Sequence, residues 1–104
     1  MRILVMTRPK FLAPPEQLPM LFQGFAAWRE RYRSMTEVFE FFAGGSGGFG
    51  IVNVPDEATL NQIMLEWPFT QFSEIEARPV VNGDTALAQW QAALQAMAAG
   101  SPPR

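Results

Sequence analysis

The chain has 104 residues, 48% of them hydrophobic, and a net charge of -2. This length and hydrophobic content fit one domain with a real core, and the lack of a segment rich in Lys and Arg argues against nucleic acid as the main partner. The chain contains neither cysteine nor histidine, which excludes disulfides, cysteine nucleophiles, Ser-His-Asp triads and the usual zinc sites. We expect no metal and no cofactor.

The first strand is predicted over 2–7, an apolar run between polar ends. A loop with three prolines follows, and a helix is predicted to begin near Pro15 or Glu16, because proline is tolerated in a first helical turn. The apolar residues of this helix recur at helical spacing and are Leu18, Leu21, Phe22, Phe25, Trp28 and Tyr32.

Two strand-like runs on either side of the glycine-rich segment 44–48 predict a β-hairpin. If Ala43 pairs with Phe49, alternation places Glu40 on the same face as Phe42 and Val52. Both faces of the hairpin are apolar, so both are expected to be covered. Glu40 is then a lone carboxylate among apolar neighbours, which is an environment that suits proton transfer.

A second helix is predicted after Pro55, with Asp56 as its N-cap and its end before Pro68. A short aromatic connection leads into a strand over 73–80, in which Pro79 indicates an edge strand or a strand end.

The last predicted element is a third helix after the turn signal Asn82-Gly83, with Asp84 or Thr85 as its cap. Its apolar stripe consists of Leu87, Trp90, Leu94 and Met97. We expect residues 1–99 to form one domain and residues 100–104 to form a flexible tail.

The element order is β-α-β-β-α-β followed by an extra helix, which predicts an α+β, ferredoxin-like fold with a four-stranded antiparallel sheet. Two helices cover one face of such a sheet. The other face is also apolar, and it would be a large exposed patch if nothing covered it. A second copy of the chain is therefore predicted to pack on it, giving a homodimer or a larger homo-oligomer with a barrel-like pair of sheets.

Three segments carry a family resemblance: Phe-Gly-Ile-Val-Asn-Val-Pro-Asp-Glu-Ala-Thr-Leu at 49–60, Leu-Glu-Trp-Pro-Phe at 65–69 and Phe-Ser-Glu-Ile-Glu at 72–76. This pattern resembles muconolactone isomerase and its relatives. The shared features are a strand that ends in Val-Pro, a small polar helix cap, a proline that ends the helix, and a strand that contains Ile-Glu. The resemblance implies a dimeric α+β barrel, often assembled into rings. It also implies isomerisation of a small lactone by proton transfer without a cofactor.

Glu40 has two interpretations. In the first it is the general base or acid of a proton transfer, since missing histidine and cysteine leave few rivals. In the second it forms a structural ion pair with an arginine, for instance Arg2 or Arg78, within the dimer interface. The other candidate catalytic residues are Tyr32, Asn53 and Arg8, which would stabilise an enolate-like oxygen. The candidate substrate-binding residues are Phe25, Trp28, Phe42, Val52, Phe69 and Phe72.

The first hypothesis for function is a cofactor-independent isomerase, cyclase or lyase that moves a proton α to a carbonyl of an apolar or aromatic substrate. Aromatic catabolism and natural-product biosynthesis, for instance polyketide cyclisation, use such chemistry. The alternatives are a cofactor-free monooxygenase of the same architecture and a non-catalytic dimeric module that binds a small molecule. The chain is expected to be a soluble cytoplasmic protein, because it has no signal peptide and no run that could span a bilayer.

Overall fold

The computed structural model describes residues 1–100. The predicted order of strands and helices is confirmed, and short 3-10 turns precede α1, β2 and β4. Residues 101–104, which make up most of the predicted tail, lie outside the described residues. The strands and helices are β1 (Arg2–Pro9), α1 (Leu18–Arg31), β2 (Thr36–Phe41), β3 (Gly48–Asn53), α2 (Glu57–Glu66), β4 (Ser73–Val80) and α3 (Gly83–Ala98).

The four strands form one antiparallel sheet in the order β2-β3-β1-β4. This is the ferredoxin-like topology that the element order predicts. β2 and β4 are the edge strands, and Pro79 lies on β4 opposite Ile3. The prediction that Pro79 marks an edge strand is confirmed, because an edge position leaves one side of the strand free of ladder hydrogen bonds.

The register of the hairpin differs from the prediction. Glu40, not Ala43, pairs with Phe49. This shift of three residues reverses which face of β2 lies with which face of β3, since side chains alternate along each strand. Glu40 therefore lies on the opposite face of the sheet from Val52, and the prediction that the two share a face is wrong.

Two glycines, one just before β3 and one at its start, permit this register. A Cβ at Gly48 would lie 2.5 Å from the carbonyl oxygen of Glu40, and one at Gly47 would overlap the carbonyl oxygen of Thr7. Gly47 also has a φ of +103°, which other residues rarely adopt. The neighbouring strands therefore approach the chain here at distances that only glycine allows.

The face of the sheet that α1 and α2 cover is called the helix face, and the other is called the outer face. The helix face holds the core, which is built from β-branched residues of the central strands and one residue of α2. Alternation places Phe39, Phe41 and Val52 on the helix face, and Glu40, Phe49 and Ile51 on the outer face. The buried core residues are Ile3, Val5, Val52, Val54 and Ile63.

The N-cap of α2 is Asp56, as predicted. Its carboxylate accepts hydrogen bonds from the backbone N–H of Thr59 at 2.8 Å and from the Thr59 hydroxyl at 2.7 Å. These bonds lower the pKa of Asp56, because they stabilise the charged form. They also satisfy a backbone donor that the first turn of a helix leaves free.

The N-cap of α3 is Asn82, so the prediction of Asp84 or Thr85 as the cap is wrong. The side-chain oxygen of Asn82 accepts from the backbone N–H of Asp84 at 3.0 Å and from that of Thr85 at 3.2 Å. The cap lies two or three residues earlier than predicted, because the helix already begins at Gly83.

Among the described residues, none of those in α3 is buried. Its apolar stripe is exposed, with Leu87 53%, Trp90 68%, Leu94 64% and Met97 60% accessible to solvent. The helix does not cover the outer face of its own sheet.

Candidate functional site

A cavity of about 400 Å³ lies between the helix face and the two helices that cover it. Its lining is mostly apolar and aromatic and comes from every strand, both covering helices and the loop after β1. Pockets of this size and character typically bind small molecules. We call it the aromatic cavity, and its main aromatic residues are Phe22, Phe25, Trp28, Phe39, Phe41, Trp67, Phe69 and Phe72.

Phe25 on α1 is the centre of the aromatic cluster. Its ring makes edge-to-face or tilted contacts with rings from α1, β2 and the segment after α2, which is the preferred geometry of aromatic pairs. These ring contacts connect α1, β2 and the segment after α2 into one wall of the cavity. The ring centroids lie 5.6 Å from Trp28, 5.8 Å from Trp67 and Phe69, and 6.0 Å from Phe39 and Phe41.

The aromatic cavity has few polar side-chain groups, and most of them already have partners. The Thr36 hydroxyl donates to the carbonyl oxygen of Tyr32 at 2.8 Å, and the Thr7 hydroxyl is 3.5 Å from the carbonyl oxygen of Gly48. The indole N–H of Trp28 donates to the carbonyl oxygen of Ile63 at 2.8 Å.

Trp67 brings a further polar group to the cavity lining. The residue is only 8% exposed, and its indole nitrogen is buried without a hydrogen-bond partner among the described residues. In the sequence, Trp67 looks like a packing residue at the end of the second helix, because an apolar residue at helical spacing carries no other signal.

Glu40 lies outside the helix face. Its backbone borders the aromatic cavity, but its side chain shares the outer face with Phe49 and is exposed. Within one chain Glu40 pairs with neither arginine, because Arg2 lies 3.1 Å from Glu37 and Arg78 lies 2.6 Å from Glu76. The bulge in β2 brings Glu37 to Arg2 instead. The alternative interpretation, an ion pair of Glu40 with Arg2 or Arg78 in a dimer interface, stays a prediction.

The other candidate catalytic residues do not lie together. Tyr32 packs against the edge of the core, 6.2 Å from the Trp28 ring. Asn53 is exposed at the end of β3, where its side chain is 3.5 Å from the N-terminal amino group. Arg8 is exposed on the outer face, 3.8 Å from Glu74.

Five of the six candidate substrate-binding residues line the aromatic cavity. The exception is Phe42, whose ring lies 5.5 Å from that of Phe49 on the outer face. Sequence reasoning missed Phe39 and Phe41, because the wrong register placed them away from Val52. Their alternation on one strand is the signal that identifies them as neighbours on one face. The five that line the cavity are Phe25, Trp28, Val52, Phe69 and Phe72.

Within residues 1–100, no group of three or more carboxylates is arranged to hold a metal ion. In the same range, none of the helices is long and apolar enough to cross a membrane. The cytoplasmic location stays a prediction.

The fold matches several solved structures, among them an isomerase and a dehydrochlorinase. Muconolactone isomerase superposes with a TM-score of 0.70 at 16% identity, over 79% of this chain and 90% of that chain. The 5-chloro-2-hydroxyhydroquinone dehydrochlorinase TftG from Burkholderia phenoliruptrix AC1100, in complex with 2,5-dihydroxybenzoquinone, superposes with a TM-score of 0.60 at 18% identity, over 82% and 98%. These similarities establish a shared fold, and they confirm the resemblance to muconolactone isomerase at that level.

No curated protein sequence matches the chain. A family model described as "Domain of unknown function (DUF3303)" matches residues 15–94, which is most of the chain and includes both covering helices and three of the strands. The chain is therefore a member of the DUF3303 family.

Proposed function

We propose that the protein binds an uncharged aromatic small molecule in the aromatic cavity. The observation that carries this proposal is the composition of the helix face: its strand residues include no ionisable side chain, and the helices above it contribute aromatic rings. A charged ligand would lose its hydration there without gaining a partner of opposite charge, whereas an aromatic ring would gain apolar contacts.

Calorimetric titration with ethylbenzene and 1-naphthol tests this binding. Phe25→Ala removes the central ring of the cluster, and we expect it to weaken binding at least tenfold. Phe42→Ala is the matched control, because the same truncation on the outer face leaves the cavity intact. Equal loss of binding in both variants, or no binding to the native protein, would contradict the proposal.

A proton transfer on a small carbonyl compound is the second candidate function. Glu40 is its candidate base, and the aromatic neighbours of Glu40 on the outer face, Phe42 and Phe49, favour it. The carboxylate would take a proton from the carbon α to a carbonyl, and the pair of electrons left behind would form an enolate. Both structural neighbours, an isomerase and a dehydrochlorinase by name, act on small molecules.

Deuterium exchange into the methyl group of acetophenone, followed by NMR in heavy water, tests this reaction. We expect Glu40→Gln to abolish the exchange and Glu37→Gln to preserve it, since Glu37 is a neighbouring carboxylate already paired with Arg2. If Glu40→Gln leaves the exchange unchanged, Glu40 is not the base. Oxygen consumption in the presence of 1-naphthol would instead indicate the monooxygenase alternative.

We also propose that a second copy of the chain covers the outer face. The centre of this face is apolar, with Leu4, Met6, Phe49 and Ile51 on the two central strands, and charged residues follow the edges. An apolar centre with a polar rim is the usual anatomy of a protein interface. Sedimentation measures the mass directly: Ile51→Lys should yield monomers, while Gln62→Lys on exposed α2 should not.

A further inference from the structure

Two hydroxyl side chains, those of Thr7 and Ser73, lie near each other in the lining of the aromatic cavity. Thr7 alternates with the core residue Val5 along β1, and Ser73 alternates along β4 with Ile75, which packs against the core. Both side chains therefore lie on the helix face. Thr7 is directly opposite Ile75, so Ser73 is its diagonal neighbour in the ladder. The two hydroxyls form the polar end of a cavity that is otherwise mostly apolar.

A bound molecule can reach both hydroxyls. Thr7 and Ser73 are half-buried, so neither side chain is sealed in the core. Gly48, the partner of Thr7 on β3, also lines the cavity and has no side chain to fill the space beside Thr7. The groove on the outer face at this end of the sheet is bordered by Arg8 and Glu74, the residues that alternate with Thr7 and Ser73.

The hydroxyls of Thr7 and Ser73 offer different halves of a hydrogen bond. The Thr7 hydroxyl is 3.5 Å from the carbonyl oxygen of Gly48. Because a carbonyl oxygen can only accept, Thr7 directs its hydrogen there and keeps its lone pairs for another donor. Within residues 1–100, the Ser73 hydroxyl has no protein partner, whereas the Thr36 hydroxyl donates to Tyr32. Ser73 is thus the cavity hydroxyl that is free to donate.

The backbone holds Ser73 in position. The carbonyl oxygen of the preceding residue, Phe72, accepts from the backbone N–H of Lys10 at 2.8 Å and from that of Phe11 at 3.2 Å. The backbone N–H of Ser73 donates to the carbonyl oxygen of Thr70. Since the backbone is already fixed, only rotation of the Ser73 hydroxyl is needed to bind a ligand, and little conformational freedom is lost.

The spacing of the two residues suits a single ligand oxygen. Diagonal neighbours of an antiparallel ladder are about 7–8 Å apart between their Cα atoms. Both side chains are short, and a hydroxyl that forms a hydrogen bond of about 2.8 Å on each side fits between them.

We propose that the Ser73 hydroxyl donates a hydrogen bond to the hydroxyl oxygen of an aromatic ligand, and that this ligand hydroxyl in turn donates to Thr7. The inference rests on the proposed binding function and specifies its ligand class as a neutral phenol. A hydroxyl suits this pair of residues better than a carbonyl, because it can accept and donate at once. The ligand ring would then lie among the aromatic side chains of the cavity.

Phenol and toluene are the matched probes, since a hydroxyl in one replaces a methyl in the other. In calorimetric titrations, we expect Ser73→Ala to weaken phenol binding about threefold to tenfold, which is the contribution of one hydrogen bond, and to change toluene binding less than about twofold. Thr7→Val keeps the shape of the side chain and removes its oxygen, so it should show the same selective loss. Toluene binding also reports that each variant is folded.

Ser34→Ala is the matched control. It removes the same hydroxyl from an exposed serine in the turn before β2, outside the cavity lining. The affinities for phenol and for toluene should both equal those of the native protein.

The outcomes separate the inference from the function on which it rests. If neither probe binds the native protein, the binding function fails and the inference fails with it. If both probes bind and neither Ser73→Ala nor Thr7→Val weakens phenol more than toluene, the inference is overturned while binding in the cavity stands.

Discussion

The two faces of the sheet differ in the polarity of their side chains. The strand residues of the helix face are apolar or weakly polar throughout, and rings from α1 and β2 meet above them. The outer face alternates apolar and charged residues, with ion pairs between Arg2 and Glu37 and between Arg78 and Glu76. Because successive side chains of a strand point to opposite faces, the same four strands present two different surfaces.

The difference shows where each kind of chemistry is available. A neutral ring bound at the helix face would gain dispersion contacts and leave water. Among the strand residues, ionisable side chains such as Glu40 are found on the outer face and not on the helix face. The two proposed functions, binding of an apolar molecule and proton transfer by Glu40, would therefore use opposite sides of the sheet.

The largest expected effect is the loss of stability when an isoleucine of the helix face, rather than one of the outer face, is truncated to alanine. Ile3 is 3% exposed and packs in the core, so Ile3→Ala should lower the free energy of unfolding by about 2–5 kcal/mol. Ile51→Ala, one strand away on the outer face, should cost about 1 kcal/mol or less in the monomer. Denaturant titration at low protein concentration measures both, and equal losses would contradict the contrast between the faces.

The next effect concerns α3, whose apolar stripe has no partner in its own chain. A second copy that packs on the outer face would also be in reach of this helix, because α3 follows edge strand β4 directly. Leu94→Lys should then reduce the mass of the oligomer in sedimentation experiments at micromolar concentration. Gln89→Lys places the same charge away from the stripe and should leave the mass unchanged.

The carboxylate of Glu40 provides a smaller, more specific test of the separation between faces. Glu40→Gln should leave the affinity for ethylbenzene unchanged within twofold, since the side chain points away from the cavity. Calorimetry with the native protein and with Glu37→Gln sets the reference. A tenfold loss of affinity in Glu40→Gln alone would show that the outer face and the cavity are coupled.

The smallest effect is expected at the N-cap of α2, which supports the helix face from its edge. Because hydrogen bonds from Thr59 lower the pKa of Asp56 in the folded protein, its contribution is present above the unfolded pKa and is lost as pH falls through the folded pKa. Asp56→Asn keeps an acceptor without titrating, so its melting temperature should fall less steeply in acid. Parallel melting curves for both proteins from pH 7 to pH 2 would contradict this.

The sequence was sufficient to predict several features of the structure. They are the order of elements, the N-cap at Asp56, the edge strand at Pro79 and five residues of the cavity. Each depends on local chemistry: a helical spacing, a capping side chain or a residue that cannot donate a hydrogen bond. These features act within a few residues, and a single sequence displays them directly.

The pairing of β2 with β3 was decided only in three dimensions. The observed register differs from the predicted one by three residues, and Gly47 and Gly48 permit the close approach of β1 and β2 that it requires. As a result, Glu40, Phe39 and Phe41 lie on the faces opposite to those predicted relative to β3. Likewise, Trp67 is buried at the end of α2 because the rings of Phe25 and Trp28 on α1 pack against it. Hydrophobic pattern and turn chemistry specify what each segment becomes, whereas contacts between distant segments decide which side chains meet.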